Sequence, residues 1–126
     1  MKNKFSSAWR SSKKPRKQRK YRSNAPLHIK HKFMGAHLSA ELRKKYNKRT
    51  IPVRREDKIK VMRGQFKGHV GKVDRIDTKR ERIYVRGIEI TKKDGTKVFL
   101  PIHPSNLMIL ELNLNDKKRV EALNRK

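Results

Sequence analysis

Three of the chain's six glycines fall within one short run, Gly64-Gln65-Phe66-Lys67-Gly68-His69-Val70-Gly71, directly after the first stretch that alternates apolar and basic side chains. Glycine permits the positive φ of tight turns and the close approach of one backbone to another. Before the run, Ile59 and Val61 alternate with Lys58, Lys60 and Met62, the period of a strand with one buried face. The two features together predict a strand, a sharp turn and a second strand over His69 to Asp77. Val70 and Val73 are three apart, so Gly71 is expected to take up a bulge.

The same reading carries on to Leu112. Ile83 and Val85 predict a third strand after the charged turn at Asp77 to Glu81, and Ile88 and Ile90 prolong it past Gly87. Asp94-Gly95 predicts a type I′ hairpin turn into Val98-Phe99-Leu100, with Lys92, Lys93 and Lys97 at its tip. Pro101 and Pro104 end that strand, and Leu107 to Leu112 is the closing one. Five short strands without room for crossover helices predict a mainly β fold, a small SH3-like antiparallel barrel over residues 53–112, with an OB-like barrel as the alternative.

The flanks have a different composition. Residues 1–52 carry 17 basic side chains against 1 acidic, residues 53–112 carry 15 against 8, and residues 113–126 carry 5 against 2. No acidic residue precedes Glu41, and residues 11–22 are almost all Lys, Arg and polar. Such a segment is expected to be disordered alone in water, a basic extended arm that orders in grooves between RNA helices. Trp9 and Tyr21 stand among these charges as candidates for stacking on unpaired bases. Within residues 1–52 one short helix is expected near 40–46, with Ser39 as its N-cap and Glu41 in the first turn. Residues 113–126 are read as a peripheral helix capped by Asn115 or Asp116, with Val120 and Leu123 inward and Lys117, Lys118 and Arg119 on a solvated face.

A formal net charge of +26 calls for a polyanionic partner, and nucleic acid is the one a cell supplies in quantity. No apolar run is long enough to span or insert into a membrane, and no signal peptide is visible after Met1, so a cytoplasmic place is expected. The chain has no cysteine, hence no disulfide or thiolate metal site. His28, His31 and His37 have no carboxylate or cysteine nearby to complete a ligand set. No metal or other cofactor is expected. His103, Ser105 and Glu111 lie on one turn and a neighbouring strand, without a motif that sets a nucleophile against a base, so no enzyme is expected. Gly71-Lys72 is followed by Val73 in a strand, which excludes a P-loop.

Asp57-Lys58-Ile59-Lys60-Val61 with Arg63-Gly64, Lys67-Gly68 and Gly71-Lys72-Val73 resembles the KOW motif of ribosomal proteins and of transcription elongation factors of the NusG and Spt-five type. An elongation factor or other regulatory RNA-binding module is the alternative reading, disfavoured because the chain has no length for a polymerase-binding domain. Three further pieces accompany the motif: Pro15 to Lys20 with Asn24-Ala25-Pro26-Leu27-His28, Leu38 to Tyr46 with Pro52-Val53-Arg54, and Pro101 to Asn106. In this order they resemble the archaeal and eukaryotic branch of the large-subunit ribosomal protein twenty-four family, whose eukaryotic members are numbered twenty-six. The resemblance runs from Lys13 to the C-terminus and leaves Met1 to Ser12 without a counterpart.

It implies a structural protein that binds large-subunit ribosomal RNA early in assembly, on the outer face near the polypeptide exit tunnel. Neighbouring ribosomal proteins would be partners, targeting or translocation factors would meet it at the tunnel exit, and no homo-oligomer is expected. RNA contacts would come from Lys13, Lys14, Arg16, Lys17, Arg19, Lys20 and Arg22 in the arm. Arg54 and Arg55 would add to them ahead of the barrel, and Arg63, Lys67 and Lys72 around the turn shaped by Gly64, Gly68 and Gly71.

Overall fold

The computed structural model describes residues 5–125. The first four residues of the expected arm and the last residue of the C-terminal tail lie outside the described residues. The core is a six-stranded mixed sheet that draws two strands from the segment read above as arm. The strands are β1 (Gly35–Leu38), β2 (Thr50–Pro52), β3 (Lys58–Val61), β4 (Val70–Asp77), β5 (Arg82–Val85), β6 (Glu89–Thr91), β7 (Lys97–Phe99) and β8 (Leu107–Glu111). In the large sheet the order is β2-β1-β8-β3-β4-β5, while β6 and β7 form a separate ribbon. One apolar cluster lies on the large sheet, from Met34, Leu38 and Ile51 through Ile59, Val73 and Ile83 to Leu107, Ile109 and Leu123, and the β6–β7 ribbon adds no residue to it.

The sheet does not close into the expected antiparallel barrel, and the reasons are local. Gly87 turns the chain with φ +86, so Ile88 and Ile90 do not prolong β5, and the second of them belongs to the β6–β7 ribbon instead. The closing strand β8 pairs with β3 on one side and, in parallel, with β1 on the other. β5 continues only into a single bridge, Ile83 to Ile102. Fold and sheet are therefore mixed, with four α-helices among the described residues accompanying the six strands of the large sheet.

The arm is helical where an extended chain was expected. α1 (Pro15–Asn24) and α2 (Leu27–Phe33) follow a 3₁₀ turn at Ser7–Ser11. Pro15 sits in the first turn of α1, where its fixed φ suits the helix and its missing N–H costs nothing. Lys, Arg and Gln are themselves good helix formers. Gln18 donates to the carbonyls of Arg10 and Ser12 at 2.9 and 2.6 Å, and Tyr21 packs between Phe5 and Phe33. These contacts supply the tertiary support that composition alone does not reveal.

Elsewhere the local chemistry reads through. α3 (Ala40–Tyr46) is capped by Ser39, whose hydroxyl accepts from the Leu42 N–H, and Asn47 ends it at φ 52. α4 (Lys117–Asn124) is capped by Asp116, which accepts from the Lys118 N–H. The Arg54 side chain, then the Lys118 N–H, hold the Asp116 carboxyl below its ordinary pKa. The irregularity of β4 falls between Val73 and Arg75 rather than at Gly71. At the tip of the ribbon only Gly95 has positive φ, and its N–H donates to the Lys92 carbonyl. Asp94 stays at negative φ and accepts from the Thr96 N–H, which makes a three-residue turn with a glycine bulge in place of type I′.

Arg119 is the largest departure. Its run with Lys117 and Lys118 predicts a solvated face, yet it is 4% exposed and meets fully buried Asp57 through two parallel bonds of 2.7 and 2.6 Å. The Arg54 and Asn113 N–H groups donate to the same carboxylate, and Arg119 also donates to the Asn113 carbonyl. The pair ties α4 to the β2–β3 connection and to the end of β8.

Candidate nucleic-acid interface

All twelve cations expected to contact RNA are exposed. Arg16, Lys17, Arg19, Lys20 and Arg22 lie on α1, just after Lys13 and Lys14. Arg54 and Arg55 lie between β2 and β3, Arg63 and Lys67 in the β3–β4 turn, and Lys72 on β4. Three of them are engaged with carboxylates. Arg22 pairs with Glu81 at 2.5 Å, Arg54 pairs with Asp116, and Arg55 lies 4.0 Å from Glu56. The other nine have no carboxylate within ion-pair distance among the described residues.

Ten of these cations fall into two groups, the seven of the arm and the three of the glycine turn and β4, while Arg54 and Arg55 stand apart between β2 and β3. Glu81 sits in the turn between β4 and β5, with its side chain 13% exposed, and it fixes Arg22 while lying 3.5 Å from His103. That contact seats the arm at the β4–β5 end of the sheet. Arg63 and Lys67 stand at the β3–β4 end. β4 has eight residues, so the two turns at its ends lie about 23 Å apart at ~3.3 Å per step.

The turn that carries Arg63 and Lys67 is tightly built. The Gly68 N–H donates to the Val61 carbonyl at 2.8 Å, the Val61 N–H to the His69 carbonyl at 2.9 Å, and the Lys67 N–H to the Gly64 carbonyl at 3.2 Å. Gly64 and Gly68 have φ of +95 and +88 and open space where a Cβ would stand, so backbone conformation alone requires them to be glycine. Gly71 is different. A Cβ there would lie 2.8 Å from the Arg86 carbonyl oxygen and 3.0 Å from Val85 Cγ1, because β5 passes close behind it. Lys72 opposes Lys58 across β3, and Lys58 is itself bridged to Glu111 at 2.9 Å.

His103 and Ser105 prove to be structural. The imidazole Nδ1 lies 2.8 Å from the Ser105 hydroxyl and accepts from the Ser105 N–H, capping the 3₁₀ turn Pro104–Asn106. Two partnerships were out of reach of sequence reasoning. Arg75 lies over the Tyr84 ring at 4.3 Å, and Arg86 is held by Glu56 and Asp74. Tyr84 stands opposite Arg75 across the β4–β5 pair, so a cross-strand signal existed, but only once that register was known.

The comparison with known proteins gives the chain a family. The family described as the ribosomal proteins L26 of eukaryotes and L24 of archaea matches residues 12–126. The chain belongs to this family. The large ribosomal subunit protein uL24 of Methanosphaera stadtmanae is 49% identical over 115 residues, covering 91% of this chain and 98% of the relative. The uL24 family is a structural family of the large ribosomal subunit and not an enzyme family, which places this chain on the ribosome in the cytoplasm. Among the described residues, no helix is long and apolar enough to cross a membrane.

Proposed function

We propose that the chain binds large-subunit ribosomal RNA through two basic groups set on one rigid body, and that it helps to fold that RNA early in subunit assembly. Nine exposed cations without carboxylate partners among the described residues, divided between the two ends of β4, carry the reading. Cations satisfied within the protein would have little to offer a phosphate. Unpaired ones release counterions when they meet RNA, and that release drives association. With the two turns of β4 about 23 Å apart, one protein can brace two backbone segments.

The likeness to the large-subunit family supports a seat on the outer face of the subunit near the exit tunnel, with ribosomal RNA and neighbouring ribosomal proteins as partners. Residues 1–33 act as the docking arm, the strands from Gly35 to Glu111 as its platform, and α4 as a brace. The β3–β4 turn makes phosphate contacts through Arg63, Lys67 and Lys72, held in place by Gly64, Gly68 and Gly71.

Sedimentation tests the reading directly. The protein should travel with large subunits and leave them only at high salt. Its affinity for purified large-subunit RNA should fall about a thousandfold or more between about 50 and 200 mM salt, as six to ten phosphate contacts require. Replacing Arg63, Lys67 and Lys72 by Ala together should flatten that dependence. A protein that stays off the subunit, or whose RNA affinity ignores salt, would refute the proposal.

A further inference from the structure

The 3₁₀ turn and α1 enclose a cleft of about 660 Å³ lined by Phe5, Ser6, Trp9, Arg16, Lys17, Lys20, Tyr21 and Asn24. We propose that this cleft captures one unpaired nucleotide of the RNA, its base stacked on Trp9 and its phosphate held by Arg16 and Lys20. The inference rests on the RNA-binding reading above and adds to it a site for a single extruded base. Phe5, Ser6 and Trp9, one wall of the cleft, precede the residues that match the family.

The two aromatic candidates in the arm have different fates. Tyr21 is covered, its ring 4.9 Å from Phe5 and 6.1 Å from Phe33, and it serves as a floor. Trp9 is 61% exposed, an unusual cost for an indole unless something covers it. Its partner within the chain is Lys17, whose ammonium stands 4.8 Å from the ring centroid. Gln18 anchors the carbonyls of Arg10 and Ser12, so the turn that carries Trp9 is held against α1 rather than left to drift.

Charge decides what fits. The lining contains three cations and no carboxylate, and no acidic residue occurs anywhere before Glu41. An apolar ligand would leave the cations without a partner, and an acidic peptide would leave the indole bare. A nucleotide satisfies both, since every base offers a π-face and every phosphate a charge. The volume is ample for a nucleotide, within the range of about 300 to 1,000 Å³ usual for small-ligand sites. In duplex RNA the base faces are already stacked, which restricts the site to unpaired nucleotides.

Trp9 is the chain's single tryptophan, so its fluorescence reports on the cleft alone. Single-stranded oligoadenylate should quench it saturably, while duplex RNA of equal length and heparin bind the protein with little quenching. Equal quenching by heparin would show that the cations act without stacking and would overturn the proposal. With large-subunit RNA, Trp9→Ala should weaken binding about 5- to 150-fold, the range spanned by one base–aromatic stack, and leave the salt dependence unchanged because no phosphate contact is lost. Trp9→Phe should retain most of the affinity, and the thermal midpoint of both variants should match the parent, since Trp9 is exposed. If the parent binds the RNA with steep salt dependence and Trp9→Ala binds as well, the nucleotide site alone is refuted. If the parent does not bind the RNA, the broader reading falls with it.

Discussion

Both carboxylate oxygens of Asp57 are satisfied from within the fold, by the Arg54 and Asn113 N–H groups and by two nitrogens of Arg119. A buried ion pair of this kind contributes little net stability compared with a well-packed apolar pair, but removing one member strands a charge in the interior. Arg119→Met should therefore cost about 3 to 5 kcal/mol in urea unfolding. Asp57→Asn combined with Arg119→Met should recover part of the loss, since the stranded charge is gone. RNA affinity at low salt should hardly change in the folded fraction, because a side chain 4% exposed has no phosphate to meet. A loss of affinity out of proportion to the loss of stability would return Arg119 to the RNA-binding surface. The sequence conceals this residue for a physical reason. Arg119 sits in a run with Lys117 and Lys118, and its partner lies 62 positions away, so nothing local separates an inward arginine from an outward lysine.

At the scale of elements, the motif glycines divide into two kinds, and the difference can be measured. Gly68→Ala meets no neighbour but must hold φ +88, a left-handed strain of about 1 to 2 kcal/mol. Gly71→Ala meets the Arg86 carbonyl oxygen at 2.8 Å, and backbone cannot swing aside as a side chain can. It should cost about 1 to 3 kcal/mol and push β4 and β5 apart, which amide exchange of the β4–β5 hydrogen bonds would register. Protection lost in Gly71→Ala but kept in Gly68→Ala is the expected pattern, and the reverse would contradict the geometry. The strands β3 and β5 were legible because alternation is a local signal, β8 because its run is continuously apolar, and α3 from Ser39 and Glu41. α1 was not, because its cations argue for disorder while the ordering comes from Gln18 and Tyr21 reaching other segments. The barrel failed for a similar reason: which neighbour β8 takes is settled by β1, a strand whose four residues, Gly-Ala-His-Leu, have no strong β signal. The proposed RNA-binding residues follow from the family resemblance, whereas the seat of the arm beside the β4–β5 turn needed the Arg22–Glu81 contact.

At the scale of the whole molecule, the positive charge and the apolar core overlap in sequence but part in space, and the point where they part is testable by truncation. Residues 1–24 carry 10 basic side chains and no acidic one, yet they contribute nothing to the central apolar cluster among the described residues. Their links to the body include the half-exposed Arg22–Glu81 pair, worth up to about 1 kcal/mol, and the Tyr21–Phe33 contact, worth about 0.5 to 1.5 kcal/mol. Removing residues 1–24 should therefore leave a cooperative urea transition within about 2.5 kcal/mol of the parent, together with a large loss of RNA affinity and a shallower salt dependence. Removing residues 1–52 is a different operation, because it takes away β1 and β2 and with them Met34, Ala36, Leu38 and Ile51. Truncating a single Leu or Met to Ala in a core costs about 2 to 5 kcal/mol, and a domain has only about 5 to 15 kcal/mol in all. The edge of β8 that β1 covers would also lie open to pairing with other chains. The longer truncation should lose its cooperative transition and aggregate, as followed by far-UV circular dichroism in urea and by light scattering. A sharp transition in that shorter chain would mean that the sheet can stand without β1, and that the arm extends to residue 52 after all.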